Sequence, residues 1–292
     1  MFAVGIIYSI EFPLEMGTFC RTVLQWYSRN KRNLPWRRTN DPYRILVSEV
    51  MLQQTQVERA LQYYAKFLKK FPTADGLARA TPTSVLRIWS GLGYNRRALL
   101  LQRTAQAAVR GFPRTDAELQ QMPGIGPYTA GAILAFAYNQ DAVFADTNIL
   151  RVMERYYYGN KQKSPNQILE KLEELLPRGN ARQWYSALMD FGAMVCTARA
   201  PRCLTCPLRQ QCKAAPHFLR GGLPRVAKHS PEKFEDSNRW WRGQIVKHMV
   251  RKKMTAEELY LKIGKRSKRK FTNALRELRG EGLLESRLMD ST

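Results

Sequence analysis

The sequence is poor in acidic residues and in histidine, and it contains no long apolar run. Only 24 Asp and Glu accompany 48 Lys and Arg among 292 residues, which gives a formal net charge of +24. No stretch approaches the roughly 20 apolar residues of a membrane-spanning helix. This excess of positive charge argues against an enzyme of small cationic substrates. It favours a polyanionic partner, nucleic acid before a membrane surface.

The chain also lacks the marks of secretion. Its first ten residues are apolar, yet they carry neither a basic n-region nor a small-residue cleavage site, so we expect no signal peptide and a cytoplasmic, nucleoid-associated protein. The five cysteines are an odd number, and four of them fall between Cys196 and Cys212. This clustering indicates a metal site in a reducing compartment rather than a disulfide framework.

Helical periodicity dominates the chain, and strict alternation of apolar and polar residues is nearly absent until its far end. We therefore predict an all-α protein of many short helices, with residues 15–212 as the main domain. Residues 213–235 contain several Pro and Gly residues and are predicted to be a linker. Residues 236–292 are predicted to form a small basic module of three helices and a β-wing at residues 280–289, similar to a winged helix.

The four clustered cysteines, Cys196, Cys203, Cys206 and Cys212, have the spacing C-x6-C-x2-C-x5-C. Four thiolates this close in sequence can enclose one ion or one cluster if the chain wraps around it. Zinc ribbons usually pair two short C-x2-C units. One such pair with single flanking cysteines instead resembles the loop that holds a [4Fe–4S] cluster. Zinc, or a set of reduced buried thiols, is the alternative that the spacing leaves open.

Residues 122–130 read Met-Pro-Gly-Ile-Gly-Pro-Tyr-Thr-Ala and lie between two predicted helices. Gly124 and Gly126 allow a sharp turn that exposes backbone N–H groups beside a helix start, an arrangement that binds phosphate without base preference. A lone G-x-G is also compatible with an ordinary turn between helices. The neighbouring prolines and the small-residue helix that follows favour a helix-hairpin-helix motif.

Further motifs extend over about residues 34–212. In chain order they are Leu34-Pro35-Trp36-Arg37, Asp41-Pro42-Tyr43-Arg44, Ser48-Glu49-Val50-Met51-Leu52-Gln53-Gln54-Thr55-Gln56-Val57, Trp89-Ser90-Gly91-Leu92-Gly93-Tyr94, the hairpin, Asp146-Thr147-Asn148 and the four cysteines. With these motifs the chain resembles the helix-hairpin-helix base-excision DNA glycosylases, most closely the adenine DNA glycosylases of the MutY type. The resemblance implies their all-α fold, a [4Fe–4S] cluster in the cysteine loop, and a monomer that binds double-stranded DNA containing a mismatched or oxidised base pair.

The resemblance also implies two catalytic carboxylates. Glu49 would protonate the flipped adenine, and Asp146 would stabilise the oxocarbenium-like sugar as the glycosidic bond breaks. A buried, ion-paired Glu49 and an N-cap role for Asp146 are the structural alternatives. Tyr128 stands where strand-cleaving relatives carry a lysine, which implies a monofunctional enzyme with Tyr128 as a pocket residue. The alternative role of Tyr128 is to pack the hairpin.

Five more residues match DNA-contacting positions of the family. Gln54 and Tyr94 resemble residues that probe the duplex where the base is flipped, and Gln53 is the neighbouring candidate because the helix register is open. Trp36 and Arg37 resemble residues that line the base pocket, although a tryptophan after a proline is as often a core anchor.

Two departures from the family pattern leave alternatives open. Thr147 replaces a glycine that is common in the family, and the residues from Phe234 onward are too few for the family's reader domain for 8-oxoguanine. We expect excision of adenine opposite 8-oxoguanine or guanine. The alternatives are a thymine or uracil mismatch glycosylase and a non-catalytic DNA-binding protein. The basic run at residues 265–270 is either a helix start that approaches phosphates or a solvated loop.

Overall fold

Helices and short turns make up the described part of the computed structural model, which comprises residues 17–159, 161–224, 234–252, 254–264 and 266–284. Within these ranges there is no β-strand, so the all-α prediction is confirmed. The α-helices are α1 Thr18–Asn30, α2 Pro42–Leu52, α3 Val57–Lys70, α4 Ala74–Ala78, α5 Pro82–Trp89, α6 Arg96–Ala107, α7 Asp116–Gln120, α8 Pro127–Tyr138, α9 Thr147–Met153, α10 Pro165–Leu175, α11 Ala181–Met194, α12 Ala215–Leu219, α13 Asn238–Met249, α14 Ala256–Ile263 and α15 Lys268–Gly280. Two 3-10 turns lie at Pro35–Arg37 and Cys203–Thr205, and a π-helical turn follows α9 at Glu154–Tyr158. No helix of the described ranges is long and apolar enough to cross a membrane.

Local sequence signals account for several helix starts. Asp41 caps α2 by accepting a hydrogen bond from the backbone N–H of Tyr43 at 2.9 Å, with Pro42 as the first helical residue. At α10, Ser164 and Gln167 form a capping box. Both devices satisfy N–H groups that a helix start would otherwise leave without partners. The helix start predicted at Asp41 is therefore confirmed.

The described residues fall into two compact units. The first unit contains residues 17–37 and 134–224, and the second contains residues 38–133 and 234–284. This grouping differs from the predicted division into a main domain, a linker and a module. The three C-terminal helices belong to the second unit, where the Arg87 guanidinium donates to the carbonyl of Val250 at 3.1 Å.

The predicted linker is also shorter than expected at its N-terminal end. The backbone N–H groups of Lys213 and Ala214 donate to the carbonyls of Tyr156 and Arg155, both at 3.0 Å, and α12 follows. Ala214 is fully buried. These contacts attach the start of the segment to the first unit, which the Pro and Gly content did not reveal. Residues 225–233 lie outside the described ranges.

Aromatic side chains form the core of the first unit. Trp184 and Tyr185 of α11 are completely buried, and Phe19 of α1 meets Trp184 edge-on at a centroid distance of 5.9 Å. Such edge-to-face pairs add roughly 0.5–1.5 kcal/mol to the gain from burial. Helix α11 packs against both α1 and α9.

The second unit contains two aromatic centres. Phe67 of α3 packs edge-on against the buried Trp89 of α5 at 6.0 Å, and Trp241 of α13 packs against Phe271 of α15 at 5.9 Å. The three helices predicted at the C-terminal end are therefore confirmed. The predicted β-wing is wrong for residues 280–284: α15 runs to Gly280, and a turn follows in which the N–H of Leu283 donates to the Leu278 carbonyl. Residues 285–289 lie outside the described ranges.

Candidate functional site

A carboxylate lies within the apolar helix α2 of the second unit. Glu49 is only 6% exposed, and its carboxylate accepts a hydrogen bond at 3.0 Å from the hydroxyl of Tyr128, near the start of α8. The structure thus brings together two residues that the sequence singled out separately. Tyr128 is half-buried, and the hydrogen bond from its hydroxyl helps to orient the carboxylate.

The hairpin that precedes Tyr128 packs against α6. Ile125 is buried, and the Thr104 hydroxyl donates to the carbonyl of Pro123 at 2.5 Å. Gly124 has a φ of 80°, and a Cβ atom there would lie 2.9 Å from the Cβ of Leu100. Gly126 has no such constraint, because an added Cβ would enter open space. Gly124 is therefore required by the fold, whereas nothing within the described protein requires Gly126.

The predicted duplex-probing residues line one open cleft of about 580 Å³ in the second unit. Gln53 follows the last residue of α2, and Gln54 and Tyr94 have positive φ angles of 57° and 48°. Left-handed conformations cost bulky L-residues free energy, and they cluster at functional sites. Both glutamines thus reach the cleft, Gln54 from the strained turn and Gln53 from the end of the helix.

Two arginines flank the ring of Tyr94. Arg97 lies 5.3 Å from the ring centroid, and Arg239 of α13 lies 5.8 Å from it and donates to the Tyr94 hydroxyl at 3.3 Å. Arg97 is the more buried of the two and is bound to the carbonyls of Val50, Gln53 and Gly93. Burial lowers the pKa of Arg97 to about 10. The C-terminal helices therefore contribute directly to this cleft.

The second candidate carboxylate belongs to the first unit. Asp146 caps α9 by accepting from the N–H of Ile149 at 2.7 Å, so the N-cap interpretation is confirmed. Its other oxygen accepts from the side-chain amide of Asn148, also at 2.7 Å. Thr147 is an exposed first residue of α9, and its side chain leaves this cap intact. The replacement of the family's glycine thus does not displace the acid.

A half-buried arginine continues this hydrogen-bond chain toward the cysteine loop. Arg151 donates to the amide oxygen of Asn148 at 2.8 Å and to the carbonyls of Gly192 and Cys196, each at 2.7 Å. Burial lowers the pKa of Arg151. A Cβ on Gly192 would lie 2.7 Å from that of Asn148, so the close approach of α9 and α11 needs glycine here. Asp146 is therefore linked to the first clustered cysteine through two side chains.

The four clustered cysteines line a single pocket in the first unit, and none forms a disulfide. Among the described residues no three His, Cys, Asp or Glu side chains are placed to hold one metal ion. The pocket thus gathers the four thiols that the sequence pattern singled out.

Burial raises the pKa of the Cys206 thiol to about 12, and it also raises the pKa of Cys203 and Cys212. Burial therefore favours the protonated thiols over the thiolates in this pocket. Arg155 shapes the loop, because it donates to the carbonyls of Thr197 and Ala198 at 2.7 and 3.1 Å.

The structure buries Trp36 and Arg37 in the first unit. Trp36 is 6% exposed, and the Arg37 guanidinium donates to Tyr27 at 3.1 Å and to Asp190 at 3.2 Å. Asp190 is completely buried and also pairs with Arg32 at 2.8 Å. The core-anchor interpretation of Trp36 therefore describes its position. A contact of either residue with a base stays a prediction.

Sequence reasoning missed Arg151, Arg155 and Arg239. Arg151 and Arg155 donate to backbone carbonyls of segments about 40 residues away. No local sequence pattern predicts such contacts. Arg239 lies 145 residues from its partner Tyr94. The one usable signal was Trp240-Trp241 beside it, an aromatic pair that indicates a packed helix start and not a surface coil.

Comparisons with known proteins give a consistent result. A family model described as HhH-GPD superfamily base excision DNA repair protein matches residues 47–178. The adenine DNA glycosylase of Mycolicibacterium smegmatis is 38% identical over 231 residues, which cover 77% of this chain and 78% of that protein. That of Buchnera aphidicola subsp. Baizongia pistaciae is 41% identical over 206 residues, covering 67% of this chain and 58% of that protein. The human adenine DNA glycosylase is 37% identical over 217 residues, and the match covers 68% of this chain and 40% of that protein.

Two solved structures share the fold. One described as a thermostable thymine-DNA glycosylase aligns with a TM-score of 0.64 at 30% identity, covering 68% of this chain and 95% of that one. A non-covalent endonuclease III–DNA complex aligns with a TM-score of 0.61 at 19% identity, covering 69% of this chain and 95% of that one. At 19% identity the second likeness shows the fold alone.

Proposed function

This chain belongs to the adenine DNA glycosylase family of the HhH-GPD superfamily, and we propose that it hydrolyses the N-glycosidic bond of adenine mispaired with 8-oxoguanine or guanine. The membership agrees with the predicted all-α, helix-hairpin-helix glycosylase fold. The observation that carries the proposal is the buried Glu49 with its hydrogen bond to Tyr128, in a chain that also keeps Asp146.

Glu49 suits the role of general acid. A buried carboxyl group oriented by a hydrogen bond is a positioned group that can give a proton to the departing adenine. Protonation of the base converts a poor leaving group into a neutral one, and positioned acids of this kind contribute roughly 10²–10⁴-fold in rate.

Asp146 suits the role of a stabilising carboxylate. Two hydrogen bonds at 2.7 Å, from the side-chain amide of Asn148 and from the N–H of Ile149, hold its carboxylate in one orientation. A negative charge placed beside the sugar stabilises the positive charge that develops as the glycosidic bond breaks. We therefore assign the acid to Glu49 and the stabilising charge to Asp146.

Tyr128 supports a monofunctional reaction. A strand-cleaving enzyme of this type needs an amine that forms a Schiff base with the sugar. The hairpin offers a phenol at this position, and the phenol already donates to Glu49. We therefore propose that the product is an abasic site in an unbroken strand.

The hairpin and the cleft are the proposed DNA contacts. Open space around Gly126 leaves room for a phosphate at the hairpin, and the side chains of Gln53, Gln54 and Tyr94 reach the cleft, where an unstacked base pair could be probed. We further propose a monomer that works on chromosomal DNA in the cytoplasm, and we propose Trp36 and Arg37 as residues that contact the DNA.

We propose that Cys196, Cys203, Cys206 and Cys212 hold a [4Fe–4S] cluster. The support is the shared pocket of four free cysteines, together with the C-x6-C-x2-C-x5-C spacing. When bound, such a cluster supplies four metal–thiolate bonds that cross-link the loop. A broad visible absorbance band with about four irons per chain is expected. A colourless protein containing one zinc would contradict the assignment.

The activity is tested by single-turnover excision on four duplexes: adenine opposite 8-oxoguanine, adenine opposite guanine, thymine opposite guanine and uracil opposite guanine. Each reaction is analysed with and without alkali. We expect release of adenine and strand scission only after alkali. Glu49→Gln and Asp146→Asn should each slow release by about 10²–10⁴-fold. Glu58→Gln, which changes an exposed carboxylate of α3, is the matched control and should react like the wild type.

Other outcomes would contradict the proposal in distinguishable ways. Release of a pyrimidine in place of adenine would make the protein a mismatch glycosylase, the second candidate, which is favoured by the likeness to a thymine-DNA glycosylase structure. Scission without alkali would indicate a lyase. Tight binding without any release would indicate a non-catalytic DNA-binding protein.

A further inference from the structure

Helix α15 has an exposed face that carries positive charge and no carboxylate. The side chains on this face, which we call the basic stripe, are Lys268, Arg269, Thr272, Asn273 and Arg276, and all are exposed. At about 100° per residue they cover an arc of about 140° along the helix. Arg276 donates to the side chain of Asn273 at 3.2 Å. The described residues provide no acidic partner for the three cations of the stripe.

The opposite face of α15 is apolar and packs against α13 and α14. Phe271, Leu275 and Leu278 are buried, and Phe271 contacts both Trp241 of α13 and Tyr260 of α14. This apolar face fixes the rotation of the helix about its own axis. The basic stripe is therefore held outward by packing.

The ion pairs of the C-terminal helices lie on the flanks of α15. Lys270 pairs with Asp236 at 2.6 Å, and Glu277 accepts from Arg242 at 2.9 Å and from Asn238 at 2.8 Å. These carboxylates are thus used toward α13 and its N-terminal turn. Segregation of the acids to one flank leaves the stripe with a local field that a polyanion would complement.

The connection between α14 and α15 has the form of a helix-turn-helix. Helix α14 ends at Gly264, which has a φ of 105°, and Ser267 caps α15 by accepting from the N–H of Lys270. The Tyr260 hydroxyl donates to the carbonyl of Arg266 at 2.7 Å and fixes the turn. A short turn containing glycine between two helices is typical of this motif, whose second helix enters the major groove of DNA.

We propose that the basic stripe of α15 is a second binding surface for double-stranded DNA. Its three cations contact phosphates, and Thr272 and Asn273 face the base edges of the major groove. The groove is about 12 Å wide and admits one α-helix. Binding here goes beyond the proposed base excision, because the stripe contains no group that the hydrolysis uses. It would hold the enzyme on undamaged DNA between mispairs.

The test compares two triple variants of the full chain. Lys268→Gln/Arg269→Gln/Arg276→Gln neutralises the stripe. The matched control is Arg251→Gln/Lys252→Gln/Lys262→Gln, which removes the same charge from exposed positions of the same three-helix region. Affinity for an undamaged duplex and for a double-stranded RNA of equal length is measured as a function of salt. Far-UV circular dichroism melting checks that both variants are folded.

We expect the stripe variant to lower the slope of log K against log salt by about 2–3, since each lost phosphate contact reduces it by about 0.9. The control should change the slope by less than 1. Equal changes in both variants, no change in either, or a loss confined to RNA would each overturn the proposal. The measurement uses undamaged DNA, so its result is independent of whether adenine is excised.

Discussion

The two units of this molecule use arginine in opposite ways. In the first unit, arginines are internal cross-links: Arg32 and Arg37 share the buried Asp190, and Arg151 and Arg155 bind backbone carbonyls of the segment that carries the cysteines. Each guanidinium offers five donors in a rigid plane, which suits it to joining several acceptors at once. These guanidinium groups are bound to acceptors within the fold, so they are not available to bind DNA.

In the second unit, most of the cations named above remain at the surface. Arg239 lies over an exposed ring in the cleft, and the basic stripe of α15 faces outward. Arg97 is the exception, because it is bound to three carbonyls like the arginines of the first unit. The cations behind the net charge of +24 are therefore of two kinds: those bound to acceptors inside the fold and those exposed at the surface. Only the exposed population contributes to counterion release on binding DNA.

Among substitutions that test this difference between the units, we expect the largest loss of stability at Asp190. Asp190→Ala would remove the completely buried acceptor that the half-buried guanidinium groups of Arg32 and Arg37 share. We expect a loss of about 3–5 kcal/mol in the free energy of unfolding, the usual cost of removing one partner of a buried pair. Urea unfolding followed by circular dichroism measures it.

The surface counterpart is Arg269→Gln in the basic stripe of α15. Arg269 is exposed and has no acidic partner among the described residues, so the substitution should change the free energy of unfolding by less than about 0.5 kcal/mol. If the two variants lost similar stability, the division between internal and partner-facing arginines would be wrong.

The helices and their capping residues were largely predictable, because apolar spacing and residues such as Asp41 act within a few positions of the helix they begin. The Glu49–Tyr128 contact was not, since it joins positions 79 residues apart. The sequence did indicate that both residues matter. It could not show that one donates a hydrogen bond to the other, because that geometry depends on the packing of α2 against the hairpin helix.

The cysteine pattern shows the same limit. Spacing predicted that four thiols share one site, and all four line one pocket. The Asn148–Arg151 chain that ties this loop to Asp146 could not be predicted, because Arg151 meets carbonyls at positions 192 and 196 through the packing of α9 on α11. Backbone acceptors carry no sequence signature.

Burial of the Cys20 thiol in the first unit predicts a loss of folding stability at alkaline pH. Cys20 is 2% exposed, and burial raises the pKa of its thiol from 9.0 to about 11. Between these values the unfolded chain has lost a proton that the folded chain keeps, so stability falls as the pH rises. Full titration corresponds to about 2–3 kcal/mol at 1.36 kcal/mol per pH unit.

The effect of Cys20 is isolated by comparing the wild type with Cys20→Ala. At pH 7 the difference in unfolding free energy reports the lost packing and the lost bond to the Leu175 carbonyl. This difference should shrink by about 2–3 kcal/mol between pH 9 and 11, because only the wild type carries the thiol. A constant difference across that range would mean that water reaches Cys20 and that the interior of the first unit is not sealed.

Two glycine substitutions in the hairpin of the second unit separate what the fold requires from what a bound phosphate requires. Gly124→Ala forces a side chain into a left-handed conformation against Leu100, and should cost about 1–3 kcal/mol of stability. Gly126→Ala meets no described atom, so its stability should stay within about 0.5 kcal/mol of the wild type. If a phosphate occupies that open space, the added methyl group weakens duplex binding by about tenfold, or 1.4 kcal/mol. Unchanged binding by Gly126→Ala would show that no phosphate approaches the hairpin there.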